Sequence, residues 1–550
     1  MQAQPSRTAR YATTETVDFV IVGSGAAGGV LAKELSTRGH SVVVLEQGPR
    51  RSVSEFRHDE QAVWLDGELL SKTPFSWRQT EKEVAQPNAG GLIYASGVGG
   101  SSVHMTANFW RLRPIDFNER SVLGDIPGAA LADWPITYEE LEPYYTKVDW
   151  EVGVSGASGP TDPPRSRPYP MPPLPVKSSG VLLERAAAKL GYRAQPAPMA
   201  ILSRPFNGRP ACQHCGFCIG FGCEYNAKGS SLASVIPVAE ATGRCEIRPN
   251  SHVRAVEVDA RGRATGVLYF DASKTEQRQR ARAVILAANG VETPRLLLMS
   301  ENSRHPDGLA NSSGMVGKHL MFNGAGVTQG EYEHPLNEHR SVEVSRIVMD
   351  LYDSDPRRGF YGGGGFDARG GIWFPIFASF NVPEGMRGWG AEWKAWFAHA
   401  YTRSMQLYGH TTSLAVASNN VTLDPTLKDE FQRPAARITY EDHPDDLATM
   451  RFFQDRTREM HEAAGAKRIW GAPPTVQRFT AHLLGTARMG NDPRTSVIDR
   501  DHRTHDIRNL FICDGSSMVT SGRGQPTMTI MALAFRAGER ISEAAKRGEI

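Results

Sequence analysis

The sequence predicts an α/β fold of the Rossmann-like type, interleaved with a second lobe. Segment 17–46 reads as a strand, a glycine-rich turn, a helix and a second strand. The chain has 550 residues, which is more than one hydrophobic core normally accommodates. Near the C-terminus, Asn509–Asp514 reads as a strand that meets another glycine-rich turn. We therefore expect two lobes, interleaved rather than sequential.

The first β-α-β unit is the segment VDFVIVGSGAAGGVLAKELSTRGHSVVVLE. Val17–Val22 has the composition of a buried strand, and Ser41–Leu45 that of a second one. Between them, Ala26–Arg38 is predicted to be a helix that ends at Gly39. This order of elements is the one that holds a dinucleotide in a parallel sheet.

The turn of this unit carries the motif G-x-G-x-x-G, formed by Gly23, Gly25 and Gly28. Gly23 allows a tight turn, Gly25 allows the backbone to approach a pyrophosphate, and Gly28 allows helix and strand to pack closely. Glu46 closes the second strand, where a carboxylate binds ribose hydroxyls and disfavours a 2′-phosphate. With both strands and the acidic residue present, we prefer a bound dinucleotide to a glycine-rich turn without a ligand.

Composition and charge exclude several classes of protein. The 62 basic and 60 acidic residues leave a net charge of +2, so a nucleic-acid partner is not expected. Met1–Thr16 is polar and lacks the apolar core of a signal peptide, and no run approaches the roughly 20 apolar residues that span a bilayer. We expect a soluble protein without its own export signal. Four of the six cysteines crowd into segment 212–223, which argues against a disulfide framework.

The segments after the first unit alternate loops and short elements. Gly90–Ser102 is so dense in glycine that its backbone suits a position against a flat ligand. Within Trp134–Tyr145, Thr137 is expected to cap a short helix with Glu140 three residues later. Pro160–Pro175 is rich in proline and predicts an extended linker or surface crossing.

The second half of the chain supplies further strands and a long C-terminal helix. Cys245–Phe270 alternates apolar and polar residues around a turn at Ala260–Gly262 and predicts a hairpin. Arg282–Ala288 is predicted to be a buried strand that leads into a turn and a helix. Leu320–Arg478 is rich in aromatic residues and glycine, and we interpret it as the second lobe. Met528–Ala545 is predicted to be helical.

Five ordered motifs resemble those of the glucose-methanol-choline (GMC) family of FAD-dependent alcohol oxidoreductases. They are VDFVIVGSGAAGGVLAKEL, GVGGSS at Gly97–Ser102, ILAANGVETPRLL at Ile285–Leu297, AHLLGTARMG at Ala481–Gly490, and LFICDGSSM with GQPTMTIMALA near the end. The resemblance covers nearly the whole chain and is weakest at about 320–478, where such proteins build their substrate pockets. Within the family, the chain most resembles bacterial sugar and glycoside dehydrogenases and the pyranose-oxidase-like branch.

The resemblance implies the cofactor, the domains and the reaction. The cofactor is FAD, and the FAD-binding domain is interleaved with an α+β substrate domain built on an antiparallel sheet. We assign residues 1–115, 200–320 and 480–550 to the FAD-binding domain, and residues 116–199 (loop and linker) and 321–479 to the substrate-binding domain. The reaction is the oxidation of an alcohol to a carbonyl, with a sugar, glycoside or similar polyol as the expected donor.

The resemblance also assigns catalytic roles to His482 and Gln525. His482, in AHLLGTARMG, matches the base that takes the hydroxyl proton while hydride goes to flavin N5. A histidine titrates near neutral pH and suits that transfer. Gln525 stands where the family usually has His or Asn before Pro-Thr. Its amide can orient a hydroxyl but cannot act as a second base, so we prefer a mechanism with a single base.

Further residues are assigned to the cofactor. His104 resembles the histidine that is covalently tied to the flavin in the pyranose-oxidase stretch, although Val103 and Met105 depart from that pattern, so a covalent bond and a non-bonded His104 both stay open. Asp514 and Gly515 match the pair at the flavin phosphate and ribityl region. The full predicted set is Gly23, Gly25, Ala26, Ala27, Gly28, Glu46, Gly97, Gly99, Gly100, Ser101, His104, Val253, Asp514, Gly515, Pro526 and Thr527.

The cysteine loop reads CQHCGFCIGFGC and contains Cys212, Cys215, Cys218 and Cys223. Thiolates at this spacing can hold an iron-sulfur cluster, and some bacterial glucose dehydrogenases of the family carry one in this part of the chain. The alternatives are reduced thiols in a tight turn and, less favoured, a zinc site.

Two other functions compete with alcohol oxidation. A nicotinamide dehydrogenase would use the same G-x-G-x-x-G but leaves the C-terminal motifs unexplained. A non-catalytic electron-transfer or assembly subunit would keep the fold, and the Gln525 departure keeps this alternative open. The sequence leaves the electron acceptor open among oxygen, a quinone, a cytochrome and a small partner subunit. It also leaves open a cytoplasmic location and co-export to the periplasm with a signal-bearing partner.

Overall fold

The computed structural model describes residues 10–370 and 382–550, so the first nine residues of the polar N-terminal stretch lie outside the described residues. The strands, in chain order, are β1 Thr16–Val22, β2 Val42–Leu45, β3 Phe75–Arg78, β4 Gln86–Pro87, β5 Gly91–Leu92, β6 Ala194–Pro196, β7 Cys245–Arg248, β8 His252–Val258, β9 Ala264–Phe270, β10 Glu276–Leu286, β11 Ala325–Glu331, β12 Val344–Val348, β13 Gly364–Arg369, β14 Ser404–Thr411, β15 Asn420–Lys428, β16 Pro434–Thr439, β17 Arg468–Trp470, β18 Phe479–Thr480 and β19 Leu510–Ile512.

The α-helices follow the same order along the chain. They are α1 Ala26–Thr37, α2 Pro114–Phe117, α3 Glu119–Leu123, α4 Tyr138–Val148, α5 Ser178–Lys189, α6 Val235–Ala241, α7 Glu292–Met299, α8 Ala391–Ala400, α9 Pro444–Ala464 and α10 Thr527–Lys546. None of these helices has the length and apolar character needed to cross a bilayer. The predicted cap of α4 is confirmed, because Thr137 and Glu140 form a capping box.

The first sheet has seven strands and contains the predicted β-α-β unit. Its order is β7-β2-β1-β10-β9-β8, and β19 pairs with β10. Strands β7, β2, β1, β10 and β19 run parallel, so the two glycine-rich turns after β1 and β19 lie at the same edge of the sheet. Helix α1 packs closely on α10, since a Cβ added at Gly538 would lie 2.6 Å from Glu34 Cβ.

The hairpin predicted over Cys245–Phe270 is wrong in its first strand. The hairpin is formed by β8 and β9 alone, whereas Cys245–Arg248 is a separate strand that pairs in parallel with β2. Alternation of apolar and polar residues identifies a strand but not its neighbour. The sequence pattern therefore could not separate these two arrangements.

The second sheet has six strands in the order β17-β11-β14-β13-β12-β6, and its pairs are antiparallel. One face packs on helices α5 and α9 through a buried cluster that includes Leu183, Phe366, Leu407 and Phe453. Because side chains alternate along a strand, the neighbours of Phe366 and Leu407 point to the opposite face. That face carries polar residues and borders the cavity described next. The two smaller sheets have the orders β15-β16-β3-β4 and β18-β5.

Candidate functional site

A cavity of about 810 Å³ lies where the glycine-rich turns of the first sheet meet the polar face of the second. This volume is within the range of sites for cofactors and small ligands. Of the residues predicted to bind the cofactor or to catalyse, those that line the cavity are Gly23, Gly25, Ala26, Ala27, Glu46, Gly100, Ser101, His104, Val253, His482, Asp514, Gly515, Gln525, Pro526 and Thr527. The fold thus gathers residues that are up to about 500 positions apart in sequence.

Three predicted residues lie behind the wall of the cavity. A Cβ at Gly28 would lie 2.0 Å from the carbonyl oxygen of Gly23, so this glycine lets helix and turn pack closely. Gly99 has φ of 98° and leaves no room for a Cβ beside Leu232. The backbone N–H of Gly97 donates to Glu46. These glycines shape the turns that border the cavity.

The nucleotide end of the cavity is formed by helix α1 and Glu46. Helix α1 begins after Gly25 without a side-chain cap and without an acidic residue in its first turn. Its N-terminal N–H groups and helix dipole are therefore available to an anion. A Cβ at Gly25 would meet only Gly100 Cα, at 3.9 Å, so the backbone is open toward the cavity. This end fits the pyrophosphate of a dinucleotide.

Glu46 is more heavily engaged than the sequence predicts. One carboxylate oxygen accepts hydrogen bonds from the backbone N–H of Gly48 and Gly97, and the other from the N–H and hydroxyl of Ser24. The residue is 5% exposed, and burial raises the pKa of its carboxyl. Glu46 therefore ties the first turn to the segment around Gly97, and a ribose hydroxyl would share oxygens that already have protein donors.

Asp514 organises the second glycine-rich turn. Its carboxylate accepts hydrogen bonds from Thr293 Oγ1 at 2.6 Å, from Ser516 N at 2.7 Å and from Asn289 N at 3.0 Å. These bonds join the strand end at β19 to the start of helix α7. Asp514 therefore ties the turn after β19 to the turn between β10 and α7, with Gly515 lining the wall beside it.

His104 lies on the cavity wall with its ring buried. Among the described residues its Nε2 atom has no hydrogen-bond partner. Burial and the nearby Lys228 lower the pKa of His104 to about 4, so the ring is neutral at physiological pH. Buried polar atoms usually have a partner. An unpaired nitrogen on this wall fits a bound cofactor.

His482 is held in one orientation by Asn323. The Asn323 amide nitrogen donates to the carbonyl oxygens of Thr411, Ser521 and Gly522, which fixes the side-chain oxygen on the opposite side. That oxygen lies 3.0 Å from His482 Nδ1. Because a carbonyl oxygen only accepts, Nδ1 carries the proton and Nε2 keeps its lone pair.

The charge state of His482 agrees with this tautomer. Burial, and then His410 and Arg369, lower the pKa of His482 to about 3. The ring is therefore neutral at physiological pH, with an accepting Nε2. Its side chain is partly exposed to the cavity. Its Nε2 lone pair can accept a proton from a bound hydroxyl. The expectation that His482 titrates near neutral pH is wrong, because burial disfavours the charged ring.

His410 is the main residue that sequence reasoning missed. It lies on β14, 3% exposed, and its Nε2 is 2.8 Å from Asp367 Oδ2 and 3.4 Å from the Gln525 amide nitrogen. Burial alone would raise the pKa of the Asp367 carboxyl. The neighbouring Arg369 and His410 outweigh burial and hold this pKa well below its usual range. The sequence of β14 around His410 contains no recognisable motif. Only its contacts in the folded chain reveal its place beside Gln525.

The cysteine loop packs behind His104, and its residues Ile219 and Gly220 line the cavity, whereas its four cysteines do not. The backbone N–H of Gly220 donates to the carbonyl oxygen of His104 at 2.7 Å. All four loop cysteines have free thiols, and burial raises the pKa of Cys218 to about 12. Among the described residues, Cys215 is the loop cysteine that lies near other possible metal ligands. Its sulfur is within 4.8 Å of ligand atoms of His58 and Glu224.

Comparisons with known proteins agree with this arrangement. The chain matches the sequence profile of the N-terminal part of GMC oxidoreductases over residues 17–323 and that of the C-terminal part over residues 415–534. It is 33% identical to 2-methyl-1,2-propanediol dehydrogenase of Mycolicibacterium austroafricanum, covering 96% of each chain. It is 31% identical to the fructose dehydrogenase large subunit of Gluconobacter japonicus, covering 97% of this chain and 99% of the relative.

A solved structure has the same fold at lower sequence identity. Pyridoxine 4-oxidase from Mesorbium loti superposes with a TM-score of 0.65 at 18% identity, over 95% of this chain and 99% of that chain. At this identity the likeness establishes the fold.

Proposed function

We propose a substrate class and a catalytic base for this chain, which belongs to the GMC oxidoreductase family and is an FAD-dependent alcohol oxidoreductase. It oxidises a CH–OH group of a sugar, glycoside or similar polyol, and His482 is the base. The observation that carries the proposal is the tautomer of His482, whose Nδ1–H is bound to Asn323 while Nε2 accepts. Relatives named for a propanediol, for fructose and for gluconate support a polyol as the substrate class.

FAD, when bound, supplies the acceptor for the hydride that leaves the carbinol carbon. The open turn at Gly25, the N-terminus of α1 and the second turn at Gly515 are the parts of the chain proposed to hold it. The unpaired Nε2 of His104 is proposed to face the flavin. Whether His104 bonds covalently to the flavin stays a prediction that the mass of the denatured protein would test.

The proposed work of the protein side chains is to orient the hydroxyl and remove its proton. Nε2 of His482 accepts the hydroxyl proton, and the electron pair left on the oxygen forms the second carbon–oxygen bond as hydride leaves the carbinol carbon. Asn323 stabilises the resulting imidazolium through its fixed carbonyl oxygen. The Gln525 amide, beside His410, is proposed to hold the same hydroxyl in line. His410 itself already interacts with Asp367, which favours a positioning role.

We propose that the electrons pass from the flavin to another redox carrier rather than to oxygen. One relative is named as a large subunit and another as a flavoprotein of a dehydrogenase. These names support transfer to a partner subunit, a cytochrome or a quinone, with oxygen as the alternative. Turnover with an artificial dye under nitrogen, compared with turnover in air, separates these acceptors.

A visible spectrum tests the proposed function. We expect purified protein to show the flavin bands in the blue and to lose them when a polyol is added under nitrogen, because substrate hydride reduces the flavin. A panel of diols, sugars and glycosides should contain at least one compound that bleaches the bands. A flavin that no alcohol in the panel reduces would favour the non-catalytic subunit instead.

An iron-sulfur cluster in the cysteine loop stays a separate proposal, carried by the residue types alone. If it forms, iron and acid-labile sulfide should copurify with the flavin, and Cys215→Ser should remove both. Cys245→Ser is the matched control, because Cys245 is buried in the first sheet outside the loop. Protein free of iron after anaerobic, iron-replete expression would contradict the cluster.

A further inference from the structure

The cavity continues from the reaction centre along the polar face of the second sheet. His410, Tyr408 and Gln406 are alternate residues of β14, and all three line the cavity. A strand rises about 3.4 Å per residue, so the four-residue step from His410 to Gln406 spans roughly 13 Å. The reaction centre lies at the His410 end, beside Gln525 and His482. The far end therefore lies well beyond the reacting hydroxyl.

A row of polar residues crosses the sheet at that far end. Gln406 on β14 pairs with Arg369 on β13 and with Gln329 on β11. Arg369 pairs in turn with Val344, and Glu343 is the residue just before it. Directly paired residues of antiparallel strands lie on the same face, which groups Gln329, Gln406 and Arg369. Glu343 precedes β12 and joins this group at the cavity wall. Glu343, Arg369 and Gln406 all line the cavity.

The carboxylate and amide side chains of this row lack protein partners. Glu343 is 8% exposed and Gln406 is 6% exposed, and within residues 10–370 and 382–550 neither side chain forms a hydrogen bond or an ion pair. Both amide atoms of Gln329 are also buried without a partner in the same ranges. Buried polar groups normally find partners. The polar atoms of Glu343 and Gln406, unlike the amide atoms of Gln329, are accessible from the cavity. Two accessible polar groups without protein partners on the wall of one cavity suit a ligand that donates and accepts hydrogen bonds.

The charge balance of the row supports a neutral or hydrogen-bond-donating ligand. The Arg369 side chain turns back toward the reaction centre, where it is engaged by both oxygens of Asp367 and its Nη2 lies 2.9 Å from His410 Nε2. It is therefore not available as the main site for an anion. Burial raises the pKa of Glu343 to about 7, with Lys177 and Arg369 acting in the opposite direction. A hydroxyl can donate to the ionised carboxyl and accept from the protonated one. Sugar hydroxyls meet both conditions.

Building on the proposed function, we infer that Glu343 and Gln406 form a distal subsite that hydrogen-bonds the hydroxyl groups of an extended substrate, so that the enzyme selects glycosides of two or more rings over short diols. With covalent bonds of about 1.5 Å, a substrate needs on the order of ten bonds in line to bridge 13 Å. A diol of three or four carbons does not reach that far. A disaccharide glycoside does.

The test compares a short and a long probe on the FAD-loaded enzyme. The probes are 2-methyl-1,2-propanediol and methyl β-lactoside, and the readouts are the anaerobic rate of flavin reduction and calorimetric binding to the oxidised enzyme. Wild-type enzyme should have the higher kcat/KM for the lactoside. Glu343→Ala should weaken lactoside binding and kcat/KM about 10-fold, through KM, with less than about a 2-fold change for the diol. Gln406→Ala should act in the same direction.

Two further variants make the outcome decisive. Glu343→Gln keeps a hydrogen-bonding group and should recover most of the lactoside binding. Glu333→Ala removes an exposed carboxylate that pairs with Lys467 and does not line the cavity, so it should change the binding of neither probe. Equal loss for both probes, unchanged lactoside binding in Glu343→Ala, or a wild-type enzyme that does not bind the lactoside would overturn the distal subsite. If no alcohol reduced the flavin of the wild-type enzyme, the proposed function itself would be overturned.

Discussion

Among single residues, Asn323 controls which nitrogen of His482 can accept a proton. Three backbone carbonyls hold its amide nitrogen, and only its oxygen is left for His482. The motif around His482 made that residue predictable, because its neighbours in sequence are distinctive. Asn323 and His410 were not predictable in the same way, since each acts through a spatial neighbour more than 100 positions away.

The first prediction at this scale concerns Asn323→Asp. A carboxylate beside Nδ1 stabilises the imidazolium, so the pKa of His482 should rise from about 3. Wild-type flavin reduction should hold its rate as the pH falls from about 8 to about 5, because His482 stays neutral. In Asn323→Asp the rate should decline within that window, because the base becomes protonated.

The measurement is the anaerobic flavin-reduction rate against pH for both enzymes. Asn207→Asp introduces the same charge at an exposed position and serves as the control. A merely structural role for Asn323 would lower the rate equally at every pH. Identical pH profiles in wild type and Asn323→Asp would therefore contradict the assigned tautomer.

At the scale of elements, the β-α-β unit was predicted almost to the residue, whereas the second sheet was not. Residues 17–46 combine glycine spacing with two apolar strands, and local sequence alone determines that turn. The strands of the second sheet are identified by alternation, but their order depends on pairings across long loops. The same limit explains why Cys245–Arg248 was assigned to the wrong hairpin. A polar row such as Glu343, Arg369 and Gln406 exists only after those strands have paired.

The turn of the first unit gives a second prediction. Gly25 has φ of −63° and room for a Cβ, so Gly25→Val should fold without backbone strain. Its branched side chain would then stand over Gly100 where the pyrophosphate is expected, and purified protein should be colourless. Gly388→Val, at another glycine with room for a Cβ and outside the cavity, should keep its flavin. Stoichiometric FAD in Gly25→Val would contradict the proposed position of the pyrophosphate.

At the scale of the whole molecule, two sheets from interleaved parts of the chain form one cavity. The first sheet contributes the turns after β1 and β19, and the second contributes the polar face of β13 and β14. Strand β6, far from β11–β14 in sequence, completes the edge of the second sheet. The proposed limits of the two domains stay a prediction, and limited proteolysis followed by mass analysis would locate them. The cavity itself depends on both sheets being in place.

The most direct test of the central claim is the rate of anaerobic flavin reduction by the best alcohol in His482→Ala. We expect the variant to fold, to retain FAD and to reduce it on the order of 100-fold more slowly than wild type, the usual contribution of a general base. His334→Ala, at an exposed histidine outside the cavity, should reduce its flavin at the wild-type rate. A near-normal rate in His482→Ala, with flavin content unchanged, would show that another group removes the proton and would contradict the account.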